Sequence, residues 1–329
     1  MKSLIIIFFL FLSLQAKDYT RQKNVQNFID EMVIKHNFKF LYLQKLFSNI
    51  KKQNTPLRFF AKKKRKKPST KLKHKYPVHG AWDRYVRLKV TPKRAKDGAI
   101  FVKKYKKVFN QVERRYGVPA EYIAAIIGIE SLYGKNMGNF PVLDTLTTLA
   151  FEPNRRNKFF KSELKKFLQL TYQYGINPRH VKGSFAGAIG LGQFMPSNYE
   201  AYGIDFNKDG KVSLTHPYDA IASIAYYLRR NGWQKNRPVA TRVSFKGNRF
   251  AQYKTGYNRT YIRSRLKDIF PKYGKWNYHD KVRLIKLDRK NFDELWYASK
   301  NFYVITRYNH SAYYAMSVHQ LATRIKKEL

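Results

Sequence analysis

Residues 116–151 read YGVPAEYIAAIIGIESLYGKNMGNFPVLDTLTTLAF. Gly117 breaks the preceding pattern, and Pro119 suits a first helical turn, where proline's fixed φ fits and its missing N–H costs nothing. Ile123, Ile126, Ile127 and Glu130 then fall at i, i+3, i+4 and i+7, so one carboxylate shares a helical face with three isoleucines. A face of that kind turns inward. Glu130 is therefore expected in the interior or at the lip of a cleft, where the helix runs out near Gly134. A carboxyl against apolar walls holds its proton to higher pH, because the charged form loses solvation. A general acid needs that state to protonate the oxygen of a glycosidic bond. The competing reading is a helix-end glutamate that points to water.

The chain has 329 residues, room for one large domain or two modest ones, and 43% hydrophobic residues supply a core. Lysine and arginine number 66 against 21 aspartates and glutamates, a net charge of +45. Such a field draws polyanions: nucleic acid, anionic lipid or an acidic wall polymer. There is no cysteine. Disulfides, thiolate metal sites, thiol nucleophiles and an acylated N-terminal cysteine are thereby excluded. Residues 1–16, MKSLIIIFFLFLSLQA, read as a secretory signal, too short for a comfortable span. Retention as an uncleaved anchor is the alternative. Export makes a nucleic-acid role a poor explanation of the charge, and no later segment is apolar enough to span a bilayer.

The spacing over 17–54 is helical and amphipathic, with apolar clusters Phe28, Met32 and Val33, then Phe38, Leu41, Leu43, Leu46 and Phe47. Residues 51–75 contain AKKKRKKPSTKLKHK and read as an exposed, poorly ordered linker, either an electrostatic tether to anionic polymer or a merely solvated one. Residues 99–116 predict one helix with Phe101, Tyr105, Val108, Phe109 and Val112 inside. Residues 155–174 predict another, burying Phe159, Phe160, Leu164, Phe167 and Leu168. After a helix over 217–232, short alternating pieces such as 242–245 and 282–287 predict a small strand-containing insert. Residues 302–329 end the chain as a loop and a helix, with Tyr308, Asn309, Tyr313 and Tyr314 at the junction. Such tyrosines can stack on sugar faces or serve as ordinary core.

Residues 182–202, KGSFAGAIGLGQFMPSNYEAY, are rich in glycine but lack the GxGxxG order and the GK[ST] of a phosphate loop. Ser184 and Gln193 offer neutral groups for sugar hydroxyls or amides; the bland reading is a tight packing turn. DFNKDG places Asp205, Asn207 and Asp209 at positions 1, 3 and 5 of a calcium loop with Gly210 at 6, and the Lys211 carbonyl can serve at 7. Position 12 holds His216, a poor ligand for a hard cation, and Asp219 is the nearest replacement. The alternative is an Asn/Asp turn without metal.

Taken together, these pieces resemble the membrane-bound lytic murein transglycosylases of B type, glycoside hydrolase family 103. The resemblance rests on the 116–151 stretch, GSFAGAIGLGQFMPSNYEAYGIDFNKDG, HPYDAIASIAYYLRRNGW and NFYVITRYNHSAYYAM, in order and at similar spacing. It implies a mainly α fold: a lysozyme-like helical core, a small inserted β-containing subdomain and a helical N-terminal region. The expected divisions are 1–16 signal, 17–75 helical region and linker, 76–233 first part of the core, 234–295 insert, and 296–329 the rest of the core. It further implies cleavage of the β-1,4 bond between N-acetylmuramic acid and N-acetylglucosamine, leaving a 1,6-anhydromuramoyl end. Glu130 aligns with the family's sole acid/base. Ser184, Gln193, Tyr227, Tyr308, Asn309 and Tyr314 align with substrate-binding residues, and Arg155 and Arg156 with groups able to meet peptide carboxylates. Asp205, Asn207, Asp209, the Lys211 carbonyl and Asp219 align with a structural calcium site; no organic cofactor is expected. The expected partners are peptidoglycan strands in the periplasm, together with wall-synthesis or envelope-machine proteins. The chain departs from the family in having no cysteine to acylate. A hydrolytic muramidase and a non-catalytic wall-binding scaffold are the alternatives.

Overall fold

The computed structural model describes residues 16–62 and 78–329. Nearly all of the signal reading and most of the basic run lie outside the described residues. The chain begins with β1 (Ala16–Lys17), α1 (Lys23–His36), α2 (Phe40–Phe47), β2 (Ile50–Lys51) and α3 (Asn54–Phe60). Four helices follow: α4 (Ala81–Lys89), α5 (Pro92–Lys104), α6 (Lys106–Tyr116) and α7 (Ala120–Ser131). Next come β3 (Phe140–Pro141), α8 (Val142–Phe151), α9 (Asn157–Gln173), β4 (Lys182–Gly183), α10 (Pro196–Tyr202) and α11 (Pro217–Arg230). The last are β5 (Ala240–Ser244), β6 (Phe270–Pro271), β7 (Arg283–Asp288), β8 (Asp293–Ala298), α12 (Lys300–Tyr308) and α13 (Ala312–Glu328). The chain is mainly α with small antiparallel sheets, as expected. Its described residues divide into two compact units, one of 16–62, 139–188 and 195–197, the other of 78–138, 189–194 and 198–329.

In the first unit α8 is buried along its whole length and packs against α9. Its polar members, Asp144, Thr145, Thr147 and Thr148, are buried with the apolar ones, so α8 keeps no solvent face and becomes the core. Phe28, Phe47 and Phe151 meet edge-on at 5.6–6.3 Å between ring centres. Leu41, expected inside, is 76% exposed. Leu43, Leu46 and Phe47 take the inner face of α2, and Leu41 lies about half a turn round from Leu43. The linker reading over 51–75 also needs correction, because Asn54–Phe60 is helical. Phe60 is buried against Phe160 at 4.8 Å, so apolar contact outweighs the basic surroundings. Just past α8, the buried Glu152 accepts hydrogen bonds from Lys17 at 2.7 Å and from Lys52 and Tyr19 at 2.9 Å. Burial raises its carboxyl, but these three bonds outweigh burial and bring it down to about 2.

In the second unit the helix expected over 99–116 is two helices. The first starts at Pro92, because Thr91 caps it by accepting the Arg94 N–H at 3.1 Å and proline fits the first turn. Tyr105, at φ −109° and ψ 27°, leaves the helical region and divides α5 from α6. The strand-containing insert is a four-stranded antiparallel sheet in the order β6-β5-β8-β7, with Val243, Leu284, Leu295 and Tyr297 buried in its core. Helix α13 packs against α4, α5 and α7, and this packing positions the site.

Candidate active site

Helix α7 is capped at Pro119, one residue before the helix proper, and Ile123, Ile126 and Ile127 are fully buried. The helix stops at Ser131 because Leu132, Tyr133 and Gly134 all take left-handed φ values of 52°, 61° and 89°. Two consecutive non-glycine residues in that region are strained, so surrounding contacts must hold them. Tyr133 supplies one such contact by donating to the Arg94 carbonyl at 2.7 Å while its ring fills a notch beside Gly98 and Gly128. Ser131 supplies another, its hydroxyl donating to the Leu191 carbonyl at 2.8 Å and tying the end of α7 to the turn that carries Gln193.

Glu130, in the last turn of α7, accepts a hydrogen bond from the Tyr314 hydroxyl at 2.7 Å. Burial pushes its carboxyl above the usual range, partly opposed by the Tyr314 bond and by the charge of Lys89. Tyr314 stacks on Tyr308 with centres 6.4 Å apart and planes within 9°. Tyr227 meets Tyr308 edge-on at 5.0 Å. Burial and the charge of Glu130 push the hydroxyls of Tyr308 and Tyr314 well above the ordinary phenol range. Both therefore remain neutral donors, and Tyr308 spends its hydrogen on the Gly192 carbonyl at 2.5 Å. Tyr227 donates to the Arg307 carbonyl at 2.6 Å.

Gln193 sits at φ 51° and gives its amide hydrogens to the Met137 and Gly190 carbonyls at 3.0 and 2.9 Å. Among the described residues nothing donates to its side-chain oxygen, which is left for an incoming donor. Gly192 must be glycine, since a Cβ there would lie 2.7 Å from the Tyr308 hydroxyl. Asn309 ends α12 and accepts the Ser311 N–H at 2.6 Å; Ser311 in turn caps α13 at Tyr314. The second unit thus holds Glu130, Gln193, Tyr227, Tyr308, Asn309 and Tyr314. It also brings in two residues the sequence reading passed over. Lys89 acts on Glu130 through its charge, and Tyr85 is raised by burial and by the charge of Glu130. Their one-turn spacing on α4 was the available signal.

The first unit holds the other three. Ser184 is half-buried, and its hydroxyl accepts the Ala188 N–H at 3.0 Å and the Ala186 N–H at 3.3 Å, which shapes the loop. Arg155 and Arg156 are exposed and lie over phenylalanine faces, Arg156 at 3.9 Å from the centre of Phe159.

The calcium-loop residues form a closed turn in the second unit. Asp205 accepts the N–H groups of Asp209 and Gly210 at 3.2 and 2.9 Å, and Gly210 supplies the left-handed φ of 84° at the sixth position. The fully buried Asp219 accepts the N–H groups of Phe206 and Ser213 at 2.9 and 2.8 Å, which brings its carboxylate to the loop. Among the described residues no three acidic or imidazole side chains by themselves form a metal cage. The set is oxygen throughout and includes the Asn207 amide and the Lys211 carbonyl, a composition that suits a hard cation.

A half-buried, desolvated carboxyl with a neutral tyrosine donor on a helical, lysozyme-like scaffold accords with the lytic transglycosylase class of enzyme, to which the relatives of this chain belong. The chain belongs to the transglycosylase SLT domain family, which it matches over residues 20–323. It is 38% identical over 310 residues to the membrane-bound lytic murein transglycosylase B of Escherichia coli K12, covering 94% of this chain and 84% of that protein. The E. coli lytic transglycosylase Slt35 in complex with calcium superposes with a TM-score of 0.85 at 35% identity, covering 98% of this chain and 99% of that one. The same enzyme has also been solved with bulgecin A. SltB1 of Pseudomonas aeruginosa gives 0.81 at 32% identity, over 94% and 99% of the two chains. The E. coli relative is described as membrane-bound, while among the described residues here no helix is long and apolar enough to cross a membrane.

Proposed function

We propose that the protein cleaves the β-1,4 bond between N-acetylmuramic acid and N-acetylglucosamine in peptidoglycan and closes a 1,6-anhydro ring on the muramic acid. One observation carries this reading: a desolvated carboxyl, raised in pKa, with a tyrosine hydroxyl 2.7 Å away. Glu130 gives its proton to the leaving glycosidic oxygen as the bond from that oxygen to the anomeric carbon breaks. The substrate's own N-acetyl group shields the positive charge that develops. The C6 hydroxyl oxygen then bonds to the anomeric carbon and returns its proton to Glu130, so no water is consumed. Placing that hydroxyl within the same sugar makes the second step intramolecular. Among the described residues the groups that act on Glu130 are the neutral Tyr314 hydroxyl, through its hydrogen bond, and the Lys89 cation, through its charge, rather than a second carboxylate, which suits a mechanism without a protein nucleophile.

The Gln193 oxygen and the faces of Tyr227, Tyr308 and Tyr314 hold the glycan, with Ser184 and Asn309 as further polar contacts. Arg155 and Arg156 meet stem-peptide carboxylates. Asp205, Asn207, Asp209, the Lys211 carbonyl and Asp219 hold a calcium ion, which ties the loop to α11 and takes no part in proton transfer. The reading of residues 1–16 as a secretory signal and the positive charge support a periplasmic location, against the wall. Digestion of purified sacculi tests the reaction, since an anhydro product weighs one water less than a hydrolysed one. Release of reducing ends, or of anhydro-muropeptides by Glu130→Gln, would refute it.

A further inference from the structure

The sheet of the second unit and the C-terminal half of α13 enclose a groove of about 700 Å3. Its sheet wall carries Trp296, whose indole N–H donates to Glu294 at 2.8 Å and so fixes the ring. Glu294 is 5% exposed and is already engaged, with Arg289 at 3.0 Å and Arg242 at 3.6 Å. The helix wall contributes Arg324 and Lys327, three residues apart and both exposed. Arg324 donates to the Val90 carbonyl at 3.0 Å, and among the described residues neither cation has a carboxylate partner. Tyr273 stands at the rim, 70% exposed. Arg289 also pairs with Asp83 at 2.7 Å, so the unbalanced positive charge of the groove is that of Arg324 and Lys327 on the helix wall, beside two aromatic rings. Cations favour anions, and ring faces favour the C–H faces of sugars.

We propose that this groove is a second glycan-binding site, separate from the acid/base centre, which holds a carboxylate-bearing stretch of the peptidoglycan strand while another stretch is cut. The inference rests on the peptidoglycan reading above. Its reach is set by α13: Tyr314, bonded to Glu130, and Arg324, in the groove, lie ten residues apart, about 15 Å along one rigid helix. One glycan strand can therefore meet both.

The test is sedimentation of the full chain with insoluble sacculi, in a Glu130→Gln background so that the wall stays intact. Arg324→Glu with Lys327→Glu should weaken binding about fivefold. The control Lys96→Glu with Lys107→Glu makes the same change in net charge on exposed lysines of α5 and α6 and should change binding less than about twofold. With Glu130 restored, the groove variant should cut a soluble tetrasaccharide at the unaltered rate, because so short a substrate occupies the acid/base centre alone. Equal losses in groove and control variants would overturn the proposal, as would loss of tetrasaccharide cleavage. Sacculus binding kept while binding to phosphatidylglycerol vesicles, or to single-stranded DNA, is lost would overturn it in favour of that other polyanion. If the charge reversals do not fold, Arg324→Gln with Lys327→Gln should show the same selective loss at smaller size. Failure of the unaltered chain to make anhydro ends from the tetrasaccharide would instead count against the reaction itself.

Discussion

Tyr314→Phe removes one oxygen and leaves the ring stacked on Tyr308. The lost bond is a 2.7 Å donation to Glu130. It stabilises the ionised carboxylate, so its removal leaves burial less opposed and raises the carboxyl further. A hydrogen bond to a charged group contributes about 1.5–3 kcal/mol. The carboxyl of the variant should therefore hold its proton more firmly, by about that hydrogen-bond energy. Glu130 must be protonated to act first as an acid, so activity falls as pH rises through its pKa. The alkaline limb of the pH–rate profile should move upward, measured as anhydro-muropeptide release from sacculi in single-turnover experiments. A limb that stays in place, or moves down, would refute the assignment of this tyrosine as the group that tunes the acid.

Glu130→Gln should raise the melting temperature by a few degrees at pH 8 and hardly at all at pH 4, read by scanning calorimetry. A carboxyl raised on folding gives its full stability below its unfolded pKa and loses it as pH rises through the folded value. Calcium should raise the melting temperature of the unaltered chain, chelation should reverse this, and Asp209→Ala should abolish the response. Glu152→Gln should cost about 1–2 kcal/mol in urea unfolding at pH 7. That carboxyl is depressed on folding, so its contribution is complete above its unfolded pKa near 4.5 and fades as pH falls toward about 2, and the gap between variant and parent should close over that window.

The helix bearing Glu130 and the face it shares with three isoleucines were legible because helical periodicity is a local property of the chain. The strands of the insert and the tyrosines near the start of α13 were legible for similar reasons. Lys89 and Tyr85 were not, since their meaning depends on α4 packing beside α13, more than two hundred residues later. The break at Tyr105 left no mark in the apolar pattern, which continues across it. The division into interleaved units is likewise silent in sequence, because long-range contacts set it. Gln193 was picked out as a polar group, but its two amide hydrogens are committed to backbone carbonyls, a fact only the folded turn reveals.

The notch filled by Tyr133 links Gly128, five residues before it, with Gly98 on another helix. A methyl group at Gly98 or Gly128 would come within 2.5 or 2.4 Å of the Tyr133 hydroxyl. Alanine would favour either helix by about 1 kcal/mol on propensity alone, yet neither site can accept it while the phenol stays. Random mutagenesis should therefore recover alanine at 128 mainly in clones that have also exchanged Tyr133 for a smaller residue, whereas alanine at 98 must in addition displace Ile325, 2.7 Å from the added methyl. Such clones would carry a loosened bend directly beside the proton donor.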